Sequence, residues 1–99
     1  MDHIHADAAS RLFRAILTLR TEEECRSFFD DLCTIKELQD LTQRLEVASM
    51  LSEGKNYQEV SRATGASTAT ICRVNKCLNY GSRGYVTALN RMKENEDKS

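Results

Sequence analysis

An all-α fold built around a helix-turn-helix is what this 99-residue sequence predicts, and three observations carry it. There is no proline and there are only four glycines, so little interrupts helices along most of the chain. Capping boxes recur: Thr21 with Glu24, Thr34 with Glu37 and Asn56 with Glu59 each place a side-chain acceptor three residues before a carboxylate that can reach back. Gly65 divides two short amphipathic segments, where a residue without a Cβ ends a helix in the left-handed region.

Each element has its own reason. Residues 1–7 read as a flexible tail, and residues 8–19 as a helix with Leu12, Phe13, Ile16, Leu17 and Leu19 on a broad apolar face. The Thr21 box opens a helix to about residue 32, with Phe28, Phe29 and Leu32 as its apolar side. The Thr34 box opens a segment carrying Ile35, Leu38 and Leu41, which continues or restarts at Thr42 with Leu45, Ala48, Met50 and Leu51 and stops at Gly54; the pattern leaves one helix or two open. Residues 80–84 form a loop, 85–92 a last short helix, and 93–99 a polar flexible tail. One domain accounts for the whole, with 8–53 as the dimerising helices and 56–79 as the helix-turn-helix.

Within residues 56–79, Asn56 starts a helix near Tyr57 that puts Val60, Ala63 and Thr64 on one face, with Ser61 small enough for a close crossing. Gln58, Glu59 and Arg62 are left facing water. After Gly65, Ser67 caps a second helix whose buried stripe is Ile71, Val74 and Leu78, leaving Thr68, Ala69, Cys72, Arg73 and Lys76 outside. That outer face is slim at its start and basic farther along. A helix entering the major groove of duplex DNA needs small or hydrogen-bonding side chains at base edges and cations at phosphates.

The charge distribution points the same way. Residues 1–53 hold 6 Lys or Arg against 11 Asp or Glu, residues 54–93 hold 7 against 1, and residues 94–99 hold 1 against 3. A chain with formal net charge −1 thus concentrates positive charge on the helix-turn-helix and the last short helix, where phosphate neutralisation releases counterions. A helical hairpin that merely packs would need the same cap, glycine and stripe, and a protein-docking module is the competing reading. The short turn, the spacing from Val60 and Ser61 through Gly65 to Ile71, and the cationic bias together favour double-stranded DNA.

Other classes of function find less support. No apolar run reaches membrane-spanning length and the first ten residues lack a signal-peptide pattern, which places the protein in the cytoplasm with no membrane partner. Cys25, Cys33, Cys72 and Cys77 are then expected as reduced thiols. Cys72, beside Arg73 and Lys76, is a candidate redox-sensitive thiol, against the plainer reading of a small half-buried side chain. His3 and His5 form an HxH without nearby partners, and Cys72 and Cys77 project about 140° apart on a helix, so no metal site is expected. No nucleophile has a base and an orienting acid and no glycine loop cradles phosphate, so catalytic residues and resident cofactors are not expected either.

The apolar faces upstream exceed what a two-helix reader needs to cover. Their simplest use is a homodimer core, its first helices packed together and its two recognition helices held about 34 Å apart, one DNA turn; the competing reading is a monomeric helical bundle with those residues as its own core.

The order Thr34, Leu41, Arg44, Gly65-Ala66, Ala69-Thr70-Ile71, Arg73 and Leu78 resembles the tryptophan repressor superfamily, and the chain as a whole is similar to its YerC/YecD-like branch. The most specific piece is residues 65–73, GASTATICR, where the family has GA-x-x-ATI-x-R. The resemblance implies an intertwined all-helical homodimer that regulates transcription, read as a repressor, with Ser67, Thr68, Ala69 and Cys72 facing bases. Arg62, Arg73 and Lys76 then hold phosphates, and Gln58, exposed on the first reader helix, joins the contact surface. The family's corepressor site is matched by Thr34, Arg44 and Arg73. Val74 stands where that site has a glycine and Cys77 where it has a serine, so the added bulk argues against tryptophan. The arginine pair, with Thr34 and Cys77, could hold another small anionic effector of unknown identity, and Arg44 and Arg73 could equally bind helix termini, carboxylates or DNA phosphate.

Overall fold

The computed structural model describes residues 3–98, with side chains described from residue 6 to residue 97. Among these residues the chain forms six helices and no strand: α1 (His3–Leu17), α2 (Glu22–Leu32), α3 (Ile35–Ser52), α4 (Tyr57–Thr64), α5 (Thr68–Tyr80) and α6 (Gly84–Lys98). The predicted all-α class is what the chain adopts. Its contacts divide it into two compact units, Met1–Leu38 and Gln39–Ser99.

In the first unit, the Thr21 hydroxyl accepts from the Glu24 amide at 3.0 Å, and the Glu24 carboxylate accepts from the Arg20 amide at 2.8 Å, one residue upstream of the expected partner. Three glutamates in the first turn of α2 meet the positive end of its dipole. The Thr34 box is fully reciprocal: the Glu37 amide donates to the Thr34 hydroxyl at 3.1 Å and the Thr34 amide to the Glu37 carboxylate at 2.8 Å. Phe28 and Phe29 meet edge to face at 5.6 Å. None of the described residues of this unit is fully buried, while Leu12, Phe13, Leu17, Leu32 and Ile35 are exposed.

The question of one helix or two over residues 35–52 is settled as one. Thr42 does not open a new helix, because its hydroxyl donates back to the Gln39 carbonyl at 2.9 Å within a continuing helix. The helix closes with the Gly54 amide donating to Leu51 and the Lys55 amide to Met50, the paired bonds of a Schellman end, with Gly54 at φ +88°.

The core lies in the second unit. Val47 and Ala48 of α3, Val60 of α4, Ala66 in the turn, and Ile71 and Val74 of α5 are buried, with Met50, Leu51, Leu78, Tyr85 and Leu89 packed around them. Ala63 departs from expectation: it is exposed, and Thr64 rather than Ala63 shares the inner face with Val60. The terminal helices are also longer than expected. α1 begins at His3 rather than residue 8, and α6 runs from Gly84 to Lys98 rather than from 85 to 92, with no proline or glycine in residues 3–8 or 92–98 to stop either helix.

Candidate nucleic-acid interface

The interface is assembled by two caps and one turn. The Asn56 side chain accepts from the Glu59 amide at 2.9 Å to start α4. After the eight residues of α4, Gly65, at φ +73° and ψ +5°, donates its amide to the Ser61 carbonyl at 2.8 Å and turns the chain. Ser67 then caps α5, its oxygen accepting from the Thr70 amide at 3.2 Å.

The turn is stiffer than sequence alone suggests. Ser61, expected only to permit a close crossing, donates its hydroxyl to the Ala66 carbonyl at 3.0 Å. Thr64 donates to the Val60 carbonyl at 2.7 Å and accepts from the Ala66 amide at 3.1 Å. From α3, the Gln43 side-chain amide donates to the Thr64 carbonyl at 3.1 Å. Small hydroxylated residues flanking a helix-ending glycine are the available signal for the first two; nothing in the local spacing marks Gln43.

With Ile71 and Val74 facing inward, helical geometry turns the rest of α5 outward. Ala69, Cys72, Arg73 and Lys76, spaced three and four apart, are all exposed, as are Ser67 and Thr68 at the helix start. Gln58 and Arg62 are exposed on α4, and with Tyr57, Ser61 and Thr68 they line an open cleft of about 460 Å³ along α4 and at the start of α5. Tyr57 belongs to this surface too, although its place in the sequence marks it only as the first residue of a helix. All eight residues expected to meet DNA therefore lie open on α4, the turn and α5, within the second unit.

The residues expected to meet a small effector do not share one described setting. Thr34 belongs to the first unit, and its hydroxyl serves the cap of α3. Arg44 is half-buried on α3 and Arg73 exposed on α5. Cys77 lines a hollow of about 390 Å³ with Gly81, Ser82, Gly84 and Tyr85, and neither arginine is part of that lining. Val74 is 1% exposed, so its branched side chain is spent on the core. The HxH pair lies outside the described side chains. Among the described residues no group of three or more His, Cys, Asp or Glu could hold a metal, and no helix is long and apolar enough to cross a membrane.

A family model described as Trp repressor protein matches residues 8–93. The chain belongs to the Trp repressor family. Members of the Trp repressor family are regulatory DNA-binding proteins rather than enzymes. The chain is 54% identical over 99 residues to the uncharacterized protein YerC of Bacillus subtilis (strain 168), covering all of this chain and 95% of that one. Two crystal structures share the Trp repressor fold with it. A candidate Trp repressor from Staphylococcus aureus matches at TM-score 0.85 and 50% identity over 88% of this chain and 87% of its own. A TrpR-like protein from Eubacterium eligens ATCC 27750 matches at 0.85 and 49% over 88% and 90%.

Proposed function

We propose that this protein is a homodimeric, sequence-specific regulator of transcription that binds double-stranded DNA through α4 and α5 and acts as a repressor in the cytoplasm. One observation carries the reading: α5 commits Ile71 and Val74 to the core and leaves a small-then-basic outer face open, from Ser67, Thr68 and Ala69 through Cys72 to Arg73 and Lys76. Ser67, Thr68, Ala69 and Cys72 read base edges, Arg62, Arg73 and Lys76 hold phosphates, and Gln58 contacts the backbone beside the Tyr57 cleft. Ser67 splits its role, since its hydroxyl also caps α5.

The dimer is supported by the first unit, whose apolar residues Phe13, Leu17, Leu32 and Ile35 stay open to water without a buried residue among those described. Tryptophan is excluded as effector on this reading: the resemblance puts Val74 where the family's corepressor site has a glycine, and the burial of Val74 in the core supports that exclusion. Thr34, Arg44, Arg73 and Cys77 remain the residues on which a different anionic effector would depend.

Mobility shift on mixed-sequence duplexes at two salt concentrations tests the reading. A DNA regulator shifts them and loses affinity steeply with salt, whereas a protein-docking module gives no salt-dependent shift.

A further inference from the structure

We propose that Gln43 is a positioning residue for DNA reading: from α3 it holds the end of α4 and so sets the angle at which α5 is presented. The inference rests on the DNA-binding reading above and deepens it, since Gln43 lies outside the surface assigned to the duplex.

Thr64 is the last residue of α4, and its carbonyl is among those a helix end leaves without a partner inside the helix. The Gln43 side-chain amide supplies that partner at 3.1 Å, half-buried, across 21 residues of sequence. The bonds of the turn itself join residues two to five apart, so they stiffen the turn without fixing where it sits on α3. Gln43 ties that stiff turn to α3.

Apolar packing alone does not settle this placement. Val47 and Ala48 bring α3 against Val60, Ala66, Ile71 and Val74, but burial of apolar surface is non-directional and tolerates small slides. A hydrogen bond weakens steeply as its angle departs from linear, so a single donor on α3 aimed at the final carbonyl of α4 selects one register. Thr64 is also bonded to Ala66, and Ala66 to Ser61, so a shift at Thr64 passes with little slack to Ser67, the cap of α5. Arg62, Ser67, Thr68 and Ala69 then move together relative to α3. Phosphate attraction survives such a shift, but alignment with base edges does not, because bidentate and close contacts depend on angle.

The experiment compares affinity for a duplex selected from a random pool with affinity for a mixed-sequence duplex, at one salt concentration, in full-length wild type and three variants. The ratio of the two affinities removes the sequence-independent phosphate contribution. Gln43→Met keeps the length and loses the donor; its ratio should fall about tenfold, the size of one half-buried hydrogen bond, while mixed-duplex affinity holds. Gln43→Lys keeps a donor and should retain the ratio within about threefold, its extra charge raising both affinities alike. Gln43→Glu turns an acceptor toward the carbonyl and should match or exceed the loss in the Met variant, deciding the matter with Gln43→Lys should the Met variant fail to fold. A purely structural role would lower the melting temperature of the variants and leave the ratio at the wild-type value, which overturns the proposal. Wild type that binds neither duplex ends the DNA reading itself, a result distinct from tight wild-type binding with an unchanged ratio in the variants.

Discussion

The Gly81 amide donates to the Cys77 carbonyl at 2.9 Å, and that same carbonyl occupies the space into which a side chain on residue 81 would point. A Cβ there would collide with the Cys77 oxygen and come within 3.0 Å of the Cys77 Cα, all backbone of α5 that cannot rotate away. Gly81→Ala should therefore destabilise the fold by about 2 kcal/mol, as overpacking does. Gly65 makes a different demand: nothing lies within 4 Å of its missing Cβ, and only its φ of +73° resists a side chain. Gly65→Ala should cost about 1 kcal/mol. Urea unfolding of both variants checks the order, and equal losses would contradict the distinction between collision and backbone strain.

Arg83 adopts φ +68° immediately before α6, in the left-handed region where a residue with a Cβ is strained. Its carbonyl accepts from the Thr87 amide at 2.9 Å, which holds it there. Arg83→Gly should stabilise the protein by about 1 kcal/mol less the chain entropy glycine adds to the unfolded state, a net gain of a few tenths. Thermal unfolding reads this directly; a clear loss of stability would mean that the arginine head group contributes packing larger than the strain.

Lys76 and Ala69 separate the two kinds of contact. Lys76→Ala should weaken binding to selected and mixed duplexes alike, by about tenfold at moderate salt, and reduce the salt slope by about one. Ala69→Leu keeps every charge and, at an exposed position, should leave stability within about 0.5 kcal/mol. It puts bulk on the face proposed to read base edges, so it should abolish preference for the selected duplex while sparing mixed-duplex binding. Fluorescence anisotropy against salt distinguishes the two patterns, and identical behaviour of the two variants would refute the division of the face.

Cys72 and Cys77 are both exposed on α5, but only Cys72 lies on the face assigned to DNA. Bound duplex should slow alkylation of Cys72 by at least about tenfold and leave Cys77 reacting at nearly its free rate, read site by site by mass spectrometry. Cys72→Ser, which conserves size, should bind within about threefold of wild type and lose sensitivity of binding to alkylating agents. Oxidant sensitivity that persists in Cys72→Ser would discard a redox role for this thiol.

Local chemistry made most of the fold legible. Asn56, Gly65 and Ser67 mark α4, the turn and α5 because caps and left-handed glycines act on neighbouring residues, and Ile71 and Val74 emerge from helical period. The hidden features are non-local or permissive. Gln43 meets Thr64 only because core packing brings α3 to the end of α4, a fact no window of sequence contains. Ala63, small and mildly apolar, has inner-face spacing and is nonetheless exposed, since alanine is tolerated on either side of a helix. The end of α6 runs past the apolar pattern because its last turns are charged and polar residues, which extend a helix without contributing to that pattern. Among the site residues, exposure of the eight DNA candidates is readable from periodicity, whereas an effector site built from Thr34, Arg44, Arg73 and Cys77 depends on packing that spacing cannot specify.

Leu17 and Ile35 test the proposed dimer. They are 82% and 80% exposed within a single chain, and a monomer would tolerate charge at either with changes within about 0.5 kcal/mol. If these side chains are instead buried against a second copy, a carboxylate there loses its water and has no cation to meet it, a cost of several kcal/mol. Leu17→Glu should therefore make sedimentation shift from dimer to monomer at micromolar concentration, remove the concentration dependence of the melting temperature, and weaken binding to a two-fold duplex by a hundredfold or more, about the loss of one linked site. Binding to a single half-site duplex should change little, because α4 and α5 draw their core from residues 47–74 rather than from the first unit. Wild type that sediments as a monomer, or a Leu17→Glu variant that stays dimeric with full affinity, would remove the exposed apolar face as the basis for pairing.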